Sequence, residues 1–329
     1  MKKVTLLDIA KACNVTKGAV SRALADKYNI SQETAYRIKQ KALELGYNFN
    51  KLKINKIENK KILILCPSRL FFRENFWQTI VKSAADRLSK SVIKTDYFIF
   101  DENDIVGSLK NFKRVGYKGF IVVHYNLKEL MDELDKLCLP TIVVDPVYPT
   151  NDVTNLRFSN FESSKKLTKL LIDSNHKRIS FFGAKDHALS FDERYQGYLN
   201  ALSQSDHILH KDLLFTDKNN NYSDNSGLRK LIQEFKPTAL VCANDLIAIN
   251  AYKVIKALGL KIPEDISVVG FDNIQESSNV KPALTTVDIP LVQIGEETAN
   301  YLINVIENHY ASLSEVVIRC DIIERNSVR

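Results

Sequence analysis

Hydrophobic positions recur with the period of a helix through the first 47 residues, and they separate into three short amphipathic helices. The positions predicted to face inward are Leu6, Ile9, Ala10 and Cys13, then Ala19, Val20, Ala23 and Leu24, then Ala35, Ile38, Ala42 and Leu45. Thr5 and Asp8 have the spacing of a capping box, while Thr16 and Ser31 are placed to cap the second and third helices. Gly46 predicts a left-handed stop. Two helices joined by a tight turn, the second of them short, are typical of a helix-turn-helix.

From Lys61 onward the pattern changes to short apolar runs that alternate with helix-period segments, in two successive series. The predicted strands are 62–66, 97–100, 120–124 and 141–145, followed by 179–183, 213–216, 239–242 and 267–270. The predicted helices are 76–89, 104–115 and 127–138, followed by 161–174, 194–203, 225–235 and 246–258. This alternation indicates parallel sheets covered by helices on both faces, and therefore an α/β core of two doubly wound subdomains. Ligands of such sheets bind at the carboxyl ends of the strands.

The charge of the chain is divided unevenly between its two parts. Residues 1–61 contain 14 basic and 5 acidic residues, a net charge of +9, whereas the remainder contains 32 basic and 34 acidic residues, a net charge of −2. A positive excess confined to the predicted helix-turn-helix and the segment after it suits binding to a phosphate backbone. On the second helix, outward-facing Thr16, Lys17, Ser21 and Arg22 suit phosphate and base contacts. An ordinary three-helix bundle is the alternative interpretation, and the charge distribution argues against it.

Several classes of protein are disfavoured by what the sequence lacks. It has no run of 18 apolar residues and no signal-peptide pattern, so we expect a cytoplasmic protein that does not bind membranes. Its 5 cysteines never form a C-x-x-C pair, which favours reduced thiols over disulfides or a zinc site. Glycine-rich phosphate-binding loops and a nucleophile elbow are missing as well, which argues against an enzyme and against a cofactor. We interpret His176 as a helix C-terminal residue that complements the helix dipole.

Polar side chains follow several predicted strands at the point where each strand ends. The candidate ligand-binding residues are Asp145, Asn244, Asp272 and Arg194, together with Phe76 or Trp77. Carboxylates, an amide and an arginine donate and accept hydrogen bonds from hydroxyl groups, and an aromatic ring stacks on a sugar, so this set suits a polyhydroxylated ligand. Taken singly, these residues have simpler interpretations, since Asp245 fits a helix N-cap and Asp272-Asn273 fits a turn. Their shared position at the strand ends favours the binding site.

The helix-turn-helix domain of residues 1–47, called the head below, also resembles a known family. The motifs TLLDIAKACNVT at 5–16, AVSRAL at 19–24, S-x-x-T at 31–34 and the closing LGY are similar to the DNA-binding domain of lactose-repressor-type (LacI/GalR) transcriptional regulators. The resemblance implies that the second helix enters the major groove, where Lys17, Gly18 and Arg22 occupy base-reading positions. Thr5 and Tyr47 are further predicted DNA contacts.

The linker of that family inserts a leucine into the minor groove at the centre of the operator. In this chain either Leu52 or Ile54 is expected to take that role. An unstructured tether is the alternative interpretation of the segment 48–61.

The resemblance continues through the core. RYQGY at 194–198, ANDLIA at 243–248, GLKIPEDISVVGFDN at 259–273, PALTTV at 282–287 and IERNS at 323–327 are similar to the family's regulatory core. The resemblance implies that Arg194, Asn244 and Asp272 contact an effector, usually a sugar or a purine, between the subdomains. It also implies crossovers near 284–288, a helix at 291–307 and a final strand at 316–323 that rejoins the second subdomain. Periplasmic sugar-binding proteins resemble the core too, without the head.

The sequence therefore predicts an all-α helix-turn-helix domain over 1–47, a linker over 48–61 and an effector-binding and dimerisation core over 62–329. The first core subdomain spans about 62–157 and 288–312, and the second about 158–284 and 313–329.

The predicted function is repression of transcription from a pseudo-palindromic double-stranded DNA operator, controlled by a small ligand that we expect to be a sugar. No heptad segment follows the last predicted strand, so we expect a homodimer. Control by a partner protein, a sugar-binding protein and an enzyme on a doubly wound fold are the alternatives.

Overall fold

The computed structural model describes residues 4–24, 30–47, 60–73, 75–110, 116–125, 127–148, 153–184, 188–205, 209–215, 226–308 and 315–329. The predicted wedge residues Leu52 and Ile54 lie outside these described residues, as do Thr216, Asn225 and the predicted helical segment 111–115. The chain divides into two compact units. The first comprises Met1–Val144, Thr150–Leu156 and Leu291–Glu315, and the second comprises Asp145–Pro149, Arg157–Pro290 and Val316–Arg329.

The head contains three helices with the predicted caps. They are α1 (Leu6–Ala12), α2 (Lys17–Leu24) and α3 (Gln32–Glu44). The Thr5 amide donates to the Asp8 carboxylate at 2.8 Å, while the Thr16 and Ser31 hydroxyls accept backbone amides of their helices at 3.1 and 3.2 Å. Gly46 follows the third helix with φ of 74°. Each cap satisfies a backbone group that the helix end leaves unpaired, so the capping predictions are confirmed.

The three helices bury a small hydrophobic core. Its fully buried members are Ile9, Ala10, Cys13, Val20, Ala23, Leu24, Ile38 and Ala42. Leu6, Ala19 and Ala35 are partly buried. The prediction for Leu45 is wrong, because its side chain is 38% exposed. α3 ends at Glu44, so Leu45 no longer follows the buried face of the helix.

The remaining elements form two parallel-stranded sheets and their covering helices. The strands are β1 (Lys61–Pro67), β2 (Lys94–Phe100), β3 (Gly119–Val123), β4 (Thr141–Val144), β5 (Thr154–Phe158), β6 (Ile179–Ala184), β7 (Leu213–Phe215), β8 (Ala239–Cys242), β9 (Ser267–Asp272), β10 (Thr285–Asp288), β11 (Glu315–Ile318) and β12 (Asp321–Ile323). The helices are α4 (Ser68–Arg73), α5 (Asn75–Lys90), α6 (Ile105–Lys110), α7 (Lys128–Asp135), α8 (Asn160–Asp173), α9 (Leu189–Ser203), α10 (Ser226–Phe235), α11 (Asp245–Ala257), α12 (Gln275–Asn279) and α13 (Leu291–Asn308).

The first sheet has the order β11-β5-β4-β3-β1-β2 and the second has the order β12-β10-β9-β8-β6-β7. β1 to β5 pair in parallel, as do β6 to β10, while β12 runs antiparallel to β10. The central strands are buried along their whole length, as expected for sheets covered by helices on both faces. The predicted pair of doubly wound α/β subdomains is therefore confirmed. Among the described helices, none has the length and apolar character that crossing a membrane requires.

The sequence analysis does not predict the strands β5 and β10 or the short helices α4 and α12, and it joins two strands into one. β5 and β10 are missed because their sequences, TNLRF and TTVD, are mostly polar instead of forming an apolar run. The predicted single strand 316–323 is wrong, because it consists of β11 in the first sheet and β12 in the second. Between β11 and β12, the Cys320 amide donates to the side-chain hydroxyl of Ser159 at 2.9 Å instead of to a backbone carbonyl of a neighbouring strand.

Two glycines allow helices to cross at close range. A Cβ atom at Gly197 in α9 would lie 2.2 Å from the carbonyl oxygen of Phe161 in α8. One at Gly295 in α13 would lie 2.4 Å from the carbonyl oxygen of Ile80 in α5. Both distances are shorter than any real carbon–oxygen contact, so a larger residue at either position would push the helices apart. The first crossing fixes the position of α9, which carries the predicted ligand contact Arg194.

The prediction that His176 complements a helix dipole is wrong. The side chain is only 2% exposed, and neither ring nitrogen has a hydrogen-bond partner in the described part of the chain. Burial, assisted by the nearby charge of Arg329, lowers its pKa from 6.5 to about 4. The imidazole is therefore neutral in the folded protein at pH 7.

This burial predicts a contribution of His176 to stability that is lost in mild acid. Between pH 6.5 and pH 4 the unfolded chain binds a proton at His176 whereas the folded chain does not, so the His176 contribution to the free energy of unfolding falls as the pH falls. We expect a loss on the order of 2–3 kcal/mol across this range. Urea denaturation of the wild type and of His176→Gln at several pH values measures it. An identical pH dependence in the two proteins would contradict the assignment.

Candidate functional site

The exposed face of α2 carries the predicted DNA-reading side chains. Thr16, Lys17, Ser21 and Arg22 are all exposed, while Val20, Ala23 and Leu24 of the same helix are buried in the head core. A Cβ atom placed on Gly18 would meet only the Arg22 guanidinium at 3.7 Å and the Thr16 hydroxyl at 3.9 Å. The helix therefore presents two cations and two hydroxyls around a bare backbone position, which lets it approach base edges closely.

The other predicted DNA contacts of the head have different environments. Thr5 is exposed and donates through its amide and its hydroxyl to the Asp8 carboxylate, at 2.8 and 2.7 Å. Tyr47 is partly buried against the core of the head. Leu52 and Ile54 lie in the segment for which the structure gives no description.

In the second unit, Arg194 is the centre of a buried polar cluster. The residue lies on α9 and is 4% exposed. Its Nε donates to Asn160 Oδ1 at 3.0 Å and its Nη1 donates to the Ala243 carbonyl at 2.8 Å. Nη1 also pairs with Asp272 Oδ1 at 3.1 Å. These contacts fix the guanidinium at the carboxyl ends of β8 and β9 and neutralise its charge where burial would otherwise be unfavourable.

An aromatic ring supports the same guanidinium. The Arg194 guanidinium carbon lies 3.8 Å from the ring centroid of Phe271, the residue before Asp272 on β9. At this distance the cation interacts favourably with the face of the ring. The Phe271 ring on one face of the guanidinium and the hydrogen bonds along its edge hold Arg194 in one orientation. The Arg194 side chain is therefore preorganised.

Asn244, and not Asp245, caps the helix α11. Asn244 is the N-cap of α11, because its Oδ1 accepts the amide of Ile247 at 2.9 Å. The prediction of Asp245 as the cap is wrong. Its buried carboxylate accepts the Thr286 hydroxyl at 2.6 Å and the Ile274 amide at 3.0 Å.

The Asp245 carboxyl group is fully buried, and its environment changes how it ionises. Burial, together with the negative charge of Asp272, raises the pKa of Asp245 to about 8. Its two hydrogen-bond donors and the charge of Arg325 act in the opposite direction. With this pKa the carboxyl group is mostly protonated at neutral pH, so it adds little negative charge near Asp272.

In the first unit, the predicted aromatic residues lie at the start of α5. Phe76 and Trp77 pack edge to face with ring centroids 5.0 Å apart. Trp77 is 6% exposed and also contacts His124, which follows β3, at a centroid distance of 5.0 Å. Phe76 is the more exposed of the two.

Asp145, which the division of the chain places in the second unit, directly follows β4 and is 6% exposed.

Four non-glycine residues at the strand ends have positive φ. The values are 62° at His124, 49° at Asp145, 110° at Asp272 and 52° at Asn273. L-residues seldom adopt such values, which persist only where neighbouring contacts hold them. The backbone at the carboxyl ends of β3, β4 and β9 is therefore held in place by its surroundings.

The structure brings together Arg194 and Asp272, and separately Phe76 and Trp77. Sequence reasoning missed the partners Asn160 and Phe271. Asn160 opens a helix directly after an unexpected strand, which is the same position that singled out the other candidates. Phe271 is missed because an apolar residue in a strand gives no signal of a binding role.

Comparisons with known proteins agree with this arrangement. Residues 5–50 match the family described as bacterial regulatory proteins, lacI family, and residues 168–328 match the periplasmic binding protein-like domain. The probable HTH-type transcriptional repressor ExuR of Bacillus subtilis (strain 168) is 30% identical over 99% of this chain and 98% of its own length. The HTH-type transcriptional repressor CytR of Escherichia coli (strain K12) is 24% identical over 99% of this chain and 96% of its own.

Solved structures share the fold over the whole chain. A complex of the transcriptional regulator CelR with cellobiose superposes with a TM-score of 0.72 at 23% identity, covering 99% of this chain and 100% of that one. The lac repressor dimer bound to operator and the anti-inducer ONPF superposes with a TM-score of 0.68 at 20% identity, covering 99% of both chains.

A capped, basic helix-turn-helix joined to two doubly wound sheets defines a DNA-binding transcriptional regulator. The identity to the Bacillus relative extends over nearly the full length of both chains. The chain belongs to the lacI family of bacterial regulatory proteins.

Arg22→Ala is expected to lower affinity for the operator more than affinity for random DNA. Loss of a two-pronged contact to a base costs about 1–3 kcal/mol per half-site and relaxes the preference at that base pair. Fluorescence anisotropy with operator and scrambled duplexes measures both affinities. Lys11→Ala, which removes an exposed cation from α1, is the matched control and is expected to weaken both duplexes about equally. Equal losses on the two duplexes for Arg22→Ala would remove Arg22 from the set of base-reading residues.

Proposed function

We propose that this regulator is a repressor whose operator affinity is controlled by a sugar bound at the carboxyl ends of the core strands. The observation that carries the proposal is the buried pair of Arg194 and Asp272, which is preorganised on Phe271 and Asn160. Neighbouring anionic and cationic groups at fixed positions suit the vicinal hydroxyls of a sugar, which both donate and accept hydrogen bonds. Asn244 and Asp145 are further proposed contacts of the same unit, while Phe76 and Trp77 are proposed sugar-stacking rings of the first unit.

The relatives and structural neighbours support this proposal. CelR is described in complex with cellobiose, and a LacI family regulator from Enterococcus faecium is described with bound ribose. ExuR and CytR are both named repressors. Control of operator binding by a partner protein is the alternative function against which a sugar effector is tested.

A panel of sugars separates these two candidates. We expect at least one monosaccharide or disaccharide to raise the melting temperature of the full chain and to change its operator affinity in the same concentration range. Arg194→Ala is the matched control and is expected to lose the response. If no sugar shifts either quantity, control by a partner protein becomes the better account. A turnover assay with the same sugars tests the accompanying proposal that the chain does not catalyse their conversion.

We infer that the regulator acts as a homodimer in the bacterial cytoplasm, where its operator lies. A two-fold axis would place the two heads on half-sites about one helical turn apart, which matches a pseudo-palindromic operator. Light scattering at micromolar concentration is expected to give twice the mass of the 37.5 kDa chain. A stable tetramer or a monomer that binds the operator equally well would contradict the inference.

A further inference from the structure

The turn that carries Asp272 needs support from its surroundings. Asp272 and the next residue, Asn273, have φ of 110° and 52°. Such values in two consecutive non-glycine residues persist only where other groups hold the chain in place. The position of the Asp272 carboxylate therefore depends on the contacts that hold this turn.

Three hydrogen bonds hold the turn from within the second unit. The Ile274 amide donates to Asp245 Oδ2 at 3.0 Å. The Asn273 amide nitrogen Nδ2 donates to Asp288 Oδ1 at 2.8 Å. Nη2 of Arg325 donates to Asn273 Oδ1 at 2.6 Å. The last bond is the shortest of the three, and it comes from a segment beyond β12 that contributes no predicted ligand contact.

Arg325 is itself held in one orientation. Its Nη1 donates to the Leu284 carbonyl at 2.7 Å and to the Ser277 hydroxyl at 3.1 Å. Its backbone amide donates to the Thr285 hydroxyl at 2.9 Å. A planar guanidinium with several fixed donors transmits its position to each acceptor, which a flexible lysine amine does not. Arg325 therefore ties the turn after β9 to the start of β10.

We propose that Arg325 is a positioning residue for effector binding, which acts through Asn273 on the Asp272 carboxylate and hence on the Arg194–Asp272 pair. The proposal rests on the proposed role of that pair as effector contacts. The Arg325 side chain donates to Asn273 in the turn, and to Ser277 and Leu284 beside it. Loss of the guanidinium is therefore expected to free the turn.

If Arg325 served only the stability of the second sheet, through its bond to the Leu284 carbonyl just before β10, its loss would loosen the whole sheet evenly. Arg325→Met keeps the length of the side chain and removes all its donors. Arg325→Lys keeps the positive charge and one nitrogen that donates hydrogen bonds. Arg329→Met is the matched control, because Arg329 donates to the Glu264 carbonyl at 2.6 Å and has no hydrogen bond to the turn.

Hydrogen–deuterium exchange of the full chain without ligand tests the positioning step. In Arg325→Met we expect the amides of 272–280 to exchange about 10-fold faster, because the turn opens locally. The same amides should be unchanged in Arg329→Met and intermediate in Arg325→Lys. Unchanged exchange in Arg325→Met, or an acceleration spread evenly over the whole second sheet, would overturn the proposal.

Calorimetry with D-ribose and with cellobiose as probes tests the effect on binding. For a probe that binds the wild type, we expect Arg325→Met to raise the dissociation constant about 10-fold, as the loss of outer supporting contacts commonly does at other ligand sites. Operator affinity without sugar should remain within about 2-fold of the wild type. Unchanged sugar affinity would overturn the proposal. If neither sugar binds the wild type, the choice of sugar effector fails, and the exchange experiment still decides the role of Arg325.

Discussion

A chain shortened to begin at Lys61 is expected to lose measurable operator affinity. The missing segment, residues 1–60, carries the helix-turn-helix and a net charge of +8, from 13 basic and 5 acidic residues, whereas the rest of the chain has a net charge of −1. Binding to a phosphate backbone releases counterions in proportion to the number of phosphates that the protein neutralises. A core without this positive charge has no comparable electrostatic attraction to DNA.

The same charge makes binding by the full chain steeply dependent on salt. If the dimer neutralises about six phosphates, its affinity falls by about 1,000-fold between ~50 and ~200 mM salt. Anisotropy titrations at several salt concentrations measure this slope, and circular dichroism of the shortened chain shows whether its core is folded. A folded fragment that binds the operator as tightly as the full chain would show that the head is not the DNA-reading domain.

The sequence is most informative about the head because its signals are local. Thr16 and Ser31 cap helices whose first turns begin one residue later, so spacing alone identifies them. The buried stripe through Ile9, Val20 and Ile38 follows the helix period. Leu45 departs from the pattern because the helix ends before it, and helix boundaries depend on the last hydrogen bonds more than on residue type.

In the core, prediction succeeds where burial is continuous and fails where it depends on a distant partner. β3 and β8 are apolar throughout and are recognised at once. β5 is buried although it contains Thr154 and Asn155, because the Thr154 hydroxyl meets the Tyr301 hydroxyl at 2.5 Å. That partner lies 147 residues away and leaves no trace near Thr154 in the sequence.

The candidate site shows the same division. The positions of Asp145, Asn244 and Asp272 at strand ends are visible in the sequence: Asp145 and Asn244 follow β4 and β8, and Asp272 is the last residue of β9. The sequence does not reveal that Arg194 pairs with Asp272, or that Asp245 is fully buried. These contacts arise from the order of strands in the sheet, which alternating elements do not specify.

Arg194→Ala and Asp272→Ala are expected to separate DNA binding from the response to the effector. Removal of one partner leaves effector hydroxyls and the remaining charge unpaired in a buried site, which costs about 1–3 kcal/mol for each lost contact. Asp272→Asn is the matched control, because it keeps the shape and one acceptor oxygen while removing the charge. Operator affinity without effector should change little in all three variants, since neither side chain belongs to the head.

The expected behaviour of the two alanine variants depends on whether the sugar weakens or strengthens operator binding. If the sugar releases the operator, both alanine variants should bind the operator normally and fail to release it at sugar concentrations that release the wild type. If the sugar promotes binding, they should fail to reach tight binding in its presence. In the wild type, operator DNA must change sugar affinity by the same factor by which sugar changes operator affinity, since coupling is reciprocal. Calorimetry of sugar binding with and without operator measures both quantities. Sugar affinity that is unchanged in both alanine variants would place the effector site away from the Arg194–Asp272 pair.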